Sequence, residues 1–100
     1  MVKLITQIEV SSIGSLSLYH FQACPYCMKT RQHIKKLGLD VEHRDIIDHP
    51  EYKNELLEGG HKTLVPCLRI ERQGSQTLWL YESDDIIDFL NTYEKNMVST

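Results

Sequence analysis

No apolar run in this 100-residue chain approaches the ~20 residues a helix needs to cross a bilayer. The first ten residues, Met1 to Val10, contain Lys3, Gln7 and Glu9, with no continuous apolar core and no A-x-A-like cleavage site. No secretory leader is therefore expected, and the expected setting is cytoplasmic, without a membrane partner. Basic charge is also short. Eleven Lys and Arg stand against 14 Asp and Glu, a net charge of −3, with no basic stripe. That argues against a phosphate-backbone binder, so no nucleic-acid partner is expected. Cysteine is scarce, three residues in all. An odd count with two members in one short motif does not make a secreted disulfide framework, and suits a reducing compartment. No repeat or low-complexity tract interrupts the chain. With 41% hydrophobic and 25% charged residues, it has the composition and size of one small globular domain. Such a domain can fold without structural disulfides or a structural metal.

What is present is ordered. Residues 1–15 read as an N-terminal extension. Leu4, Ile5 and Ile8 fall at helical spacing, Ile8-Glu9-Val10 fits a strand equally well, and Ser11, Ser12, Gly14 and Ser15 read as a linker. A strand is predicted over Leu16–Phe21. A helix should start near Pro25, where a missing N–H costs nothing, and end at Gly38, which accepts a left-handed backbone. Val41–Ile46 reads as a second strand. Strand, helix and strand in about 30 residues make a βαβ unit with parallel strands. Asp48-His49-Pro50-Glu51 is a helix start with Asp48 as the expected cap. That helix carries Tyr52, Leu56 and Leu57 and ends at Gly59-Gly60. Cys67–Glu71 and Thr77–Tyr81, joined across Gln73-Gly74-Ser75, predict an antiparallel hairpin. Ser83 is the expected cap of a last helix, with Asp84 and Asp85 in its first turn and Ile86, Leu90 and Tyr93 as its inner stripe. Residues 97–100 read as a tail. The order β-α-β-α-β-β-α is satisfied by one four-stranded mixed sheet flanked by three helices, an α/β domain over residues 16–96.

Cys24-Pro25-Tyr26-Cys27 carries the chemistry. A C-x-x-C at a strand-to-helix junction is the signature of a thioredoxin-like redox site. Cys24, just before the helix, faces free N–H groups and the positive end of the dipole, which favour thiolate. Cys24 is therefore the expected nucleophile, and Cys27, one turn in, the expected resolving thiol. Pro25 stiffens the turn, and Tyr26 offers an aromatic surface for docking a small peptide thiol. A zinc site needs about four ligands, and only Cys67 and scattered histidines remain, so no metal is expected. Cys67 itself reads either as a small buried strand residue or as a regulatory thiol. Trp79 reads as core or half-buried strand, and His33, His43, His49 and His61 as surface.

Cys24-Pro25-Tyr26-Cys27, Leu64-Val65-Pro66 and Ser83-Asp84-Asp85, in this order and spacing, resemble the glutaredoxin family. The resemblance covers about residues 16–93 and implies a thioredoxin fold, a cis proline at Pro66 and glutathione as reductant. By the same resemblance, the backbone of Val65 would pair with the cysteinyl part of glutathione. Ser83 and Asp84 would hold its γ-glutamyl carboxylate and amine, chemistry that suits a helix N-terminus and a carboxylate. Two departures stand out. Tyr81-Glu82 occupies the place of the usual Gly-Gly pair, and Glu82-Ser83 is similar instead to the glutathione-binding motif of glutathione S-transferase N-terminal domains. Phe21 stands where glutaredoxins often carry a lysine, with Lys62 as a possible substitute.

The expectation is a monomeric dithiol glutaredoxin that reduces disulfide-containing or glutathionylated proteins. Three alternatives stay open: a redox protein of the same fold served by a thioredoxin reductase, a module that bridges an iron–sulfur cluster with glutathione, and a glutathione S-transferase N-domain without its second domain.

Overall fold

The computed structural model describes residues 12–98. The expectations for residues 1–11 and for the last two residues lie outside the described part. The elements run β1 (Ile13–His20), α1 (Pro25–Leu37), β2 (Glu42–Asp45), α2 (Pro50–Gly60), β3 (Cys67–Arg72), β4 (Leu78–Tyr81) and α3 (Ser83–Val98). The four strands form one sheet in the order β2-β1-β3-β4. The β1–β2 pair is parallel, while β1–β3 and β3–β4 are antiparallel. This is the expected thioredoxin fold. The first strand starts at Ile13, three residues ahead of the expected start at Leu16, because Ile13 pairs with Arg72 beyond a register shift.

Strand alternation sorts the side chains into two layers. Leu16, Leu18, Leu68 and Ile70 point to one face, where they meet Ile34 of α1 and Ile86, Phe89 and Leu90 of α3. Phe89 was not among the expected stripe residues, and Tyr93 packs only at the edge of this core. Tyr19 and Cys67 point to the other face and meet Leu56 of α2, with Tyr52, Trp79 and Tyr81 packed around them. Tyr19 and Cys67 are directly opposite in the ladder, and Cys67 is in turn opposite Tyr81.

Two helix starts differ from expectation. Gly38 caps α1 as expected, with φ 68° and its N–H on the carbonyls of Ile34 and Lys35. Asp48, however, does not cap α2. The cap position is His49, with no side-chain hydrogen bond, because Asp45 already organises this turn. One Asp45 carboxylate oxygen accepts the N–H groups of Ile47 (2.8 Å) and Asp48 (3.0 Å). At its other end α2 stops at Gly59-Gly60, as expected, and the left-handed residue that follows is His61, φ 67°. Gly59 and Gly60 also serve close packing: a Cβ on either would run into Trp79 or Tyr81. At α3, Ser83 is the first helical residue and not the cap. Glu82 precedes it with φ 72°, and its carbonyl accepts the N–H of Ile86 at 3.0 Å, which places Glu82 in the capping position.

Candidate active site

The parallel β1–β2 pair ends in the loop that carries the first cysteine. Cys24 donates its N–H to the Phe21 carbonyl at 3.3 Å, and its own carbonyl accepts the N–H of Met28 at 2.9 Å. Cys24 is thus the N-cap of α1, and its sulfur accepts the N–H of Cys27 at 3.3 Å. Pro25 fills the first helical position. Thr30 is fully buried and ties its hydroxyl to the Tyr26 carbonyl at 2.9 Å, fixing the first turn from inside.

Both thiols are free, and both are covered: Cys24 is 6% exposed and Cys27 fully buried. Burial, reinforced by the paired Cys24 sulfur, pushes the Cys27 thiol up to about 12. The Phe21 backbone amide and the Arg31 guanidinium work against that rise. The burial around Cys27 thus favours its protonated form. Cys67, also free and fully buried, directly follows Pro66, and burial pushes it up to about 12 as well. A strand residue under the sheet with its thiol protonated matches the simpler of its two readings.

A cleft of about 290 Å³ lies beside the thiol loop, walled by Tyr26, Leu64, Val65, Pro66, Tyr81, Glu82, Ser83 and Asp84. All six residues expected around the ligand are therefore brought together. The Val65–Pro66 peptide is cis, as the resemblance implied. Ser83 is buried, and Asp84, at the start of α3, keeps most of its side chain in solvent. Cys24 and Cys27 do not wall this cleft. Tyr26, 64% exposed between them, joins the cleft to the thiol loop.

Sequence reasoning missed four contributors. Leu64, 62% exposed, and Tyr81 both line the cleft. Tyr81 could have been found from strand alternation, since it points the same way as Trp79. Lys29 pairs with Asp84 at 2.9 Å, across 55 residues of chain that no periodicity connects. Arg31, four residues after Cys27 and so on the same side of α1, contacts His20, Phe21 and Gln22. Lys62 lines no part of the cleft. Its ammonium lies 5.1 Å above the Tyr81 ring, and its carbonyl accepts the Tyr81 hydroxyl at 3.1 Å. Phe21 packs half-buried against the Tyr19 layer. Among the described residues no group of three or more His, Cys, Asp and Glu could hold a metal ion, and no helix is long and apolar enough to cross a membrane.

The sequence family described as glutathione S-transferase, N-terminal domain, matches residues 18–96, from the middle of β1 to the last turns of α3. The chain belongs to that family. No curated protein matches it in sequence. Solved structures with the same fold come from two groups. Maleylacetoacetate isomerase from Anaeromyxobacter dehalogenans, with glutathione bound in its active site, superposes with a TM-score of 0.62 at 21% identity over 84% of this chain and 39% of its own. Glutathione transferase Omega 3C from Trametes versicolor gives 0.63 at 23% identity, over 90% and 37%. Wheat glutaredoxin gives 0.61 at 16% identity, over 95% of this chain and 87% of its own. This glutathione S-transferase N-terminal domain therefore spans less than two fifths of the isomerase and transferase chains, and most of the glutaredoxin.

Proposed function

We propose that this domain is a glutathione-dependent thiol–disulfide oxidoreductase acting on protein disulfides and glutathione mixed disulfides. The observation that carries the reading is the pair of free thiols at the start of α1, with the Cys24 sulfur accepting the Cys27 N–H. Cys24 attacks the substrate disulfide and forms a mixed disulfide. Cys27 attacks Cys24 and releases a dithiol client, or glutathione does so from solution when the substrate is a glutathione adduct. The cleft beside the loop would hold the glutathione moiety. Val65 offers its backbone, Ser83 and the α3 N-terminus suit the γ-glutamyl carboxylate, and Asp84 suits the ammonium. Tyr26 would flank the bound peptide, and Glu82 would set the entry of the chain into α3.

The test is reduction of a small glutathione mixed disulfide by the purified domain with glutathione as electron source. Cys24→Ser should abolish turnover, and Cys27→Ser should keep this monothiol reaction while losing reduction of protein disulfides. Retained turnover in Cys24→Ser overturns the assignment. A parallel assay with thioredoxin reductase in place of glutathione decides the electron source.

A second reading is favoured by the family match and by Glu82-Ser83: glutathione transfer or isomerisation, with Cys24 holding or activating glutathione. It gives Cys27 no role. Conjugation of glutathione to an electrophile that survives Cys27→Ser, without disulfide reduction by the wild type, would decide for it.

A further inference from the structure

Arg31 is a charged residue that the cysteine pair does not account for. Its guanidinium donates to the carbonyls of Phe21 at 3.3 Å and Gln22 at 3.5 Å, and lies 3.1 Å from Nδ1 of His20. An arginine only donates, so His20 Nδ1 accepts, and His20 is the neutral tautomer with its proton on Nε2. His20 is 2% exposed at the end of β1, so this acceptor is fixed in the interior. Arg31 thus grips three consecutive residues, His20, Phe21 and Gln22, from one side of α1. The middle one, Phe21, also accepts the Cys24 N–H, and its amide faces the Cys27 sulfur. One side chain therefore holds the backbone that accepts the Cys24 N–H and faces the Cys27 sulfur, and its positive charge works against the rise at Cys27.

We propose that Arg31 is a positioning residue for the resolving step, a role that rests on the dithiol mechanism above. In that step the Cys27 sulfur attacks the Cys24 sulfur of the mixed disulfide. The bond between Cys24 and the client sulfur breaks, and the Cys24–Cys27 bond forms. In this step Cys27 rises to the disulfide level and the client sulfur falls to the thiol level; over both attacks together the cysteine pair loses two electrons and the client disulfide gains them. The proton lost by Cys27 ends on the departing client thiol. The costly event is ionising Cys27 in a site without solvent, because burial opposes the charged form. The groups that face Cys27 are the Cys24 sulfur, the Phe21 amide and Arg31, of which only the last two favour the thiolate. Arg31 supplies one directly and holds the other in place.

The test uses an aromatic disulfide that releases a coloured thiol, read by stopped flow on the reduced protein. Cys24 attack gives a first, bimolecular phase, and Cys27 attack a second, unimolecular phase, so one trace reports both thiols. Arg31→Gln keeps hydrogen-bonding capacity without charge; Arg31→Lys keeps charge without the fork. The expected result for Arg31→Gln is a ratio of second-phase to first-phase rate about tenfold lower, as for a one-unit rise at Cys27. The deficit should stay constant across neutral pH, where Cys27 is protonated in both proteins, and Arg31→Lys should recover most of the ratio. An unchanged ratio in Arg31→Gln, or equal slowing of both phases in both variants, overturns the proposal. So does a third equivalent of coloured thiol from Arg31→Gln, since it reports exposure of Cys67 and a residue needed only for folding. Glutathione takes no part in this assay. A wild type with two phases but no glutathione-dependent turnover would sink the functional reading above and leave this one standing.

Discussion

Cys24 and Cys27, on the β1–α1 side of the site, are 6% and 0% exposed, whereas Asp84, on the β4–α3 side, leaves 83% of its side chain in solvent. The thiol side is built from the interior outward. Thr30 is buried under the first turn of α1, His20 under the loop, and Arg31 bonds to the loop backbone. The cleft side is built mainly from backbone: a cis Val65–Pro66 peptide, a left-handed Glu82 and the first turn of α3. The two designs suit two tasks. A thiol whose protonation is set by burial and one fixed charge needs surroundings that do not move. Under the proposed function, a cleft that takes up and releases a small peptide can sit near the surface, where backbone N–H groups would supply recognition without side-chain entropy. If this comparison is right, damage to one side should leave the other's readout intact.

The largest separation is expected at Gly60. A Cβ there would strike the Tyr81 hydroxyl, which lines the cleft wall through Tyr81 and anchors the 61–66 loop through the Lys62 carbonyl. Gly60→Ala should cost about 1–3 kcal/mol, as overpacking does. Chemical denaturation measures the loss. The KM for glutathione should rise, while the first phase with the coloured disulfide stays at the wild-type rate. A first phase that slows in proportion breaks the comparison.

A smaller effect is expected from acid. Burial, then Arg31 and His43, hold the His20 imidazole below its ordinary range, and Asp45 and Asp48 only partly oppose them. The unfolded chain takes up a proton at His20 below about pH 6.5, while the folded chain resists it. Stability from this group is therefore complete above that pH and is lost as the pH falls towards the lowered folded value. Urea midpoints across this range should decline, and the decline should be shallower in His20→Gln. An identical slope in the variant would mean that His20 does not anchor the thiol side.

The smallest effect is expected at the Lys29–Asp84 ion pair, which joins the two sides. Lys29 and Asp84 meet at 2.9 Å with both side chains largely exposed, 55% and 83%. Such pairs are worth about 0–1 kcal/mol. Lys29 nonetheless occupies the carboxylate that would receive the ligand's ammonium. Lys29→Met should tighten glutathione binding by about fivefold at most, a limit set by that energy, with the gain fading in high salt. Calorimetric titration at two salt concentrations checks this. Weaker binding in the variant would instead make Lys29 part of the ligand site.

What could be read in the sequence followed from range. Gly38 and Pro25 announce their helix ends because capping depends on a few adjacent residues. The hairpin across Gly74 and the parallel β1–β2 pair follow from element order for the same reason. Asp48 and Ser83 look like caps in sequence, and each yields to a neighbour. Asp45 takes the N–H groups that lead into α2, and Glu82 takes the bend into α3. Local capping rules do not see an acceptor already engaged in the turn before. The grouping of Val65, Pro66, Glu82, Ser83 and Asp84 came from family resemblance, not from any period. Nothing in the sequence pointed to the burial of His20, to Arg31 as its partner, or to Lys29 at Asp84.

The sequence by itself determined the order of elements and the placing of Cys24 and Cys27 at a strand-to-helix junction. Hydrophobic period, proline and glycine act over one turn or one strand, and a C-x-x-C spans one turn. Only the tertiary structure decided that Tyr26, Leu64–Pro66 and Tyr81–Asp84 wall a single cleft, and that three residues of the Cys24 loop close on Arg31. Those meetings depend on the strand order β2-β1-β3-β4, which sets β1 beside β3 and β3 beside β4. That order arises because both faces of the sheet must be buried at once, Leu18 and Leu68 under α1 and α3, Tyr19 and Cys67 under α2.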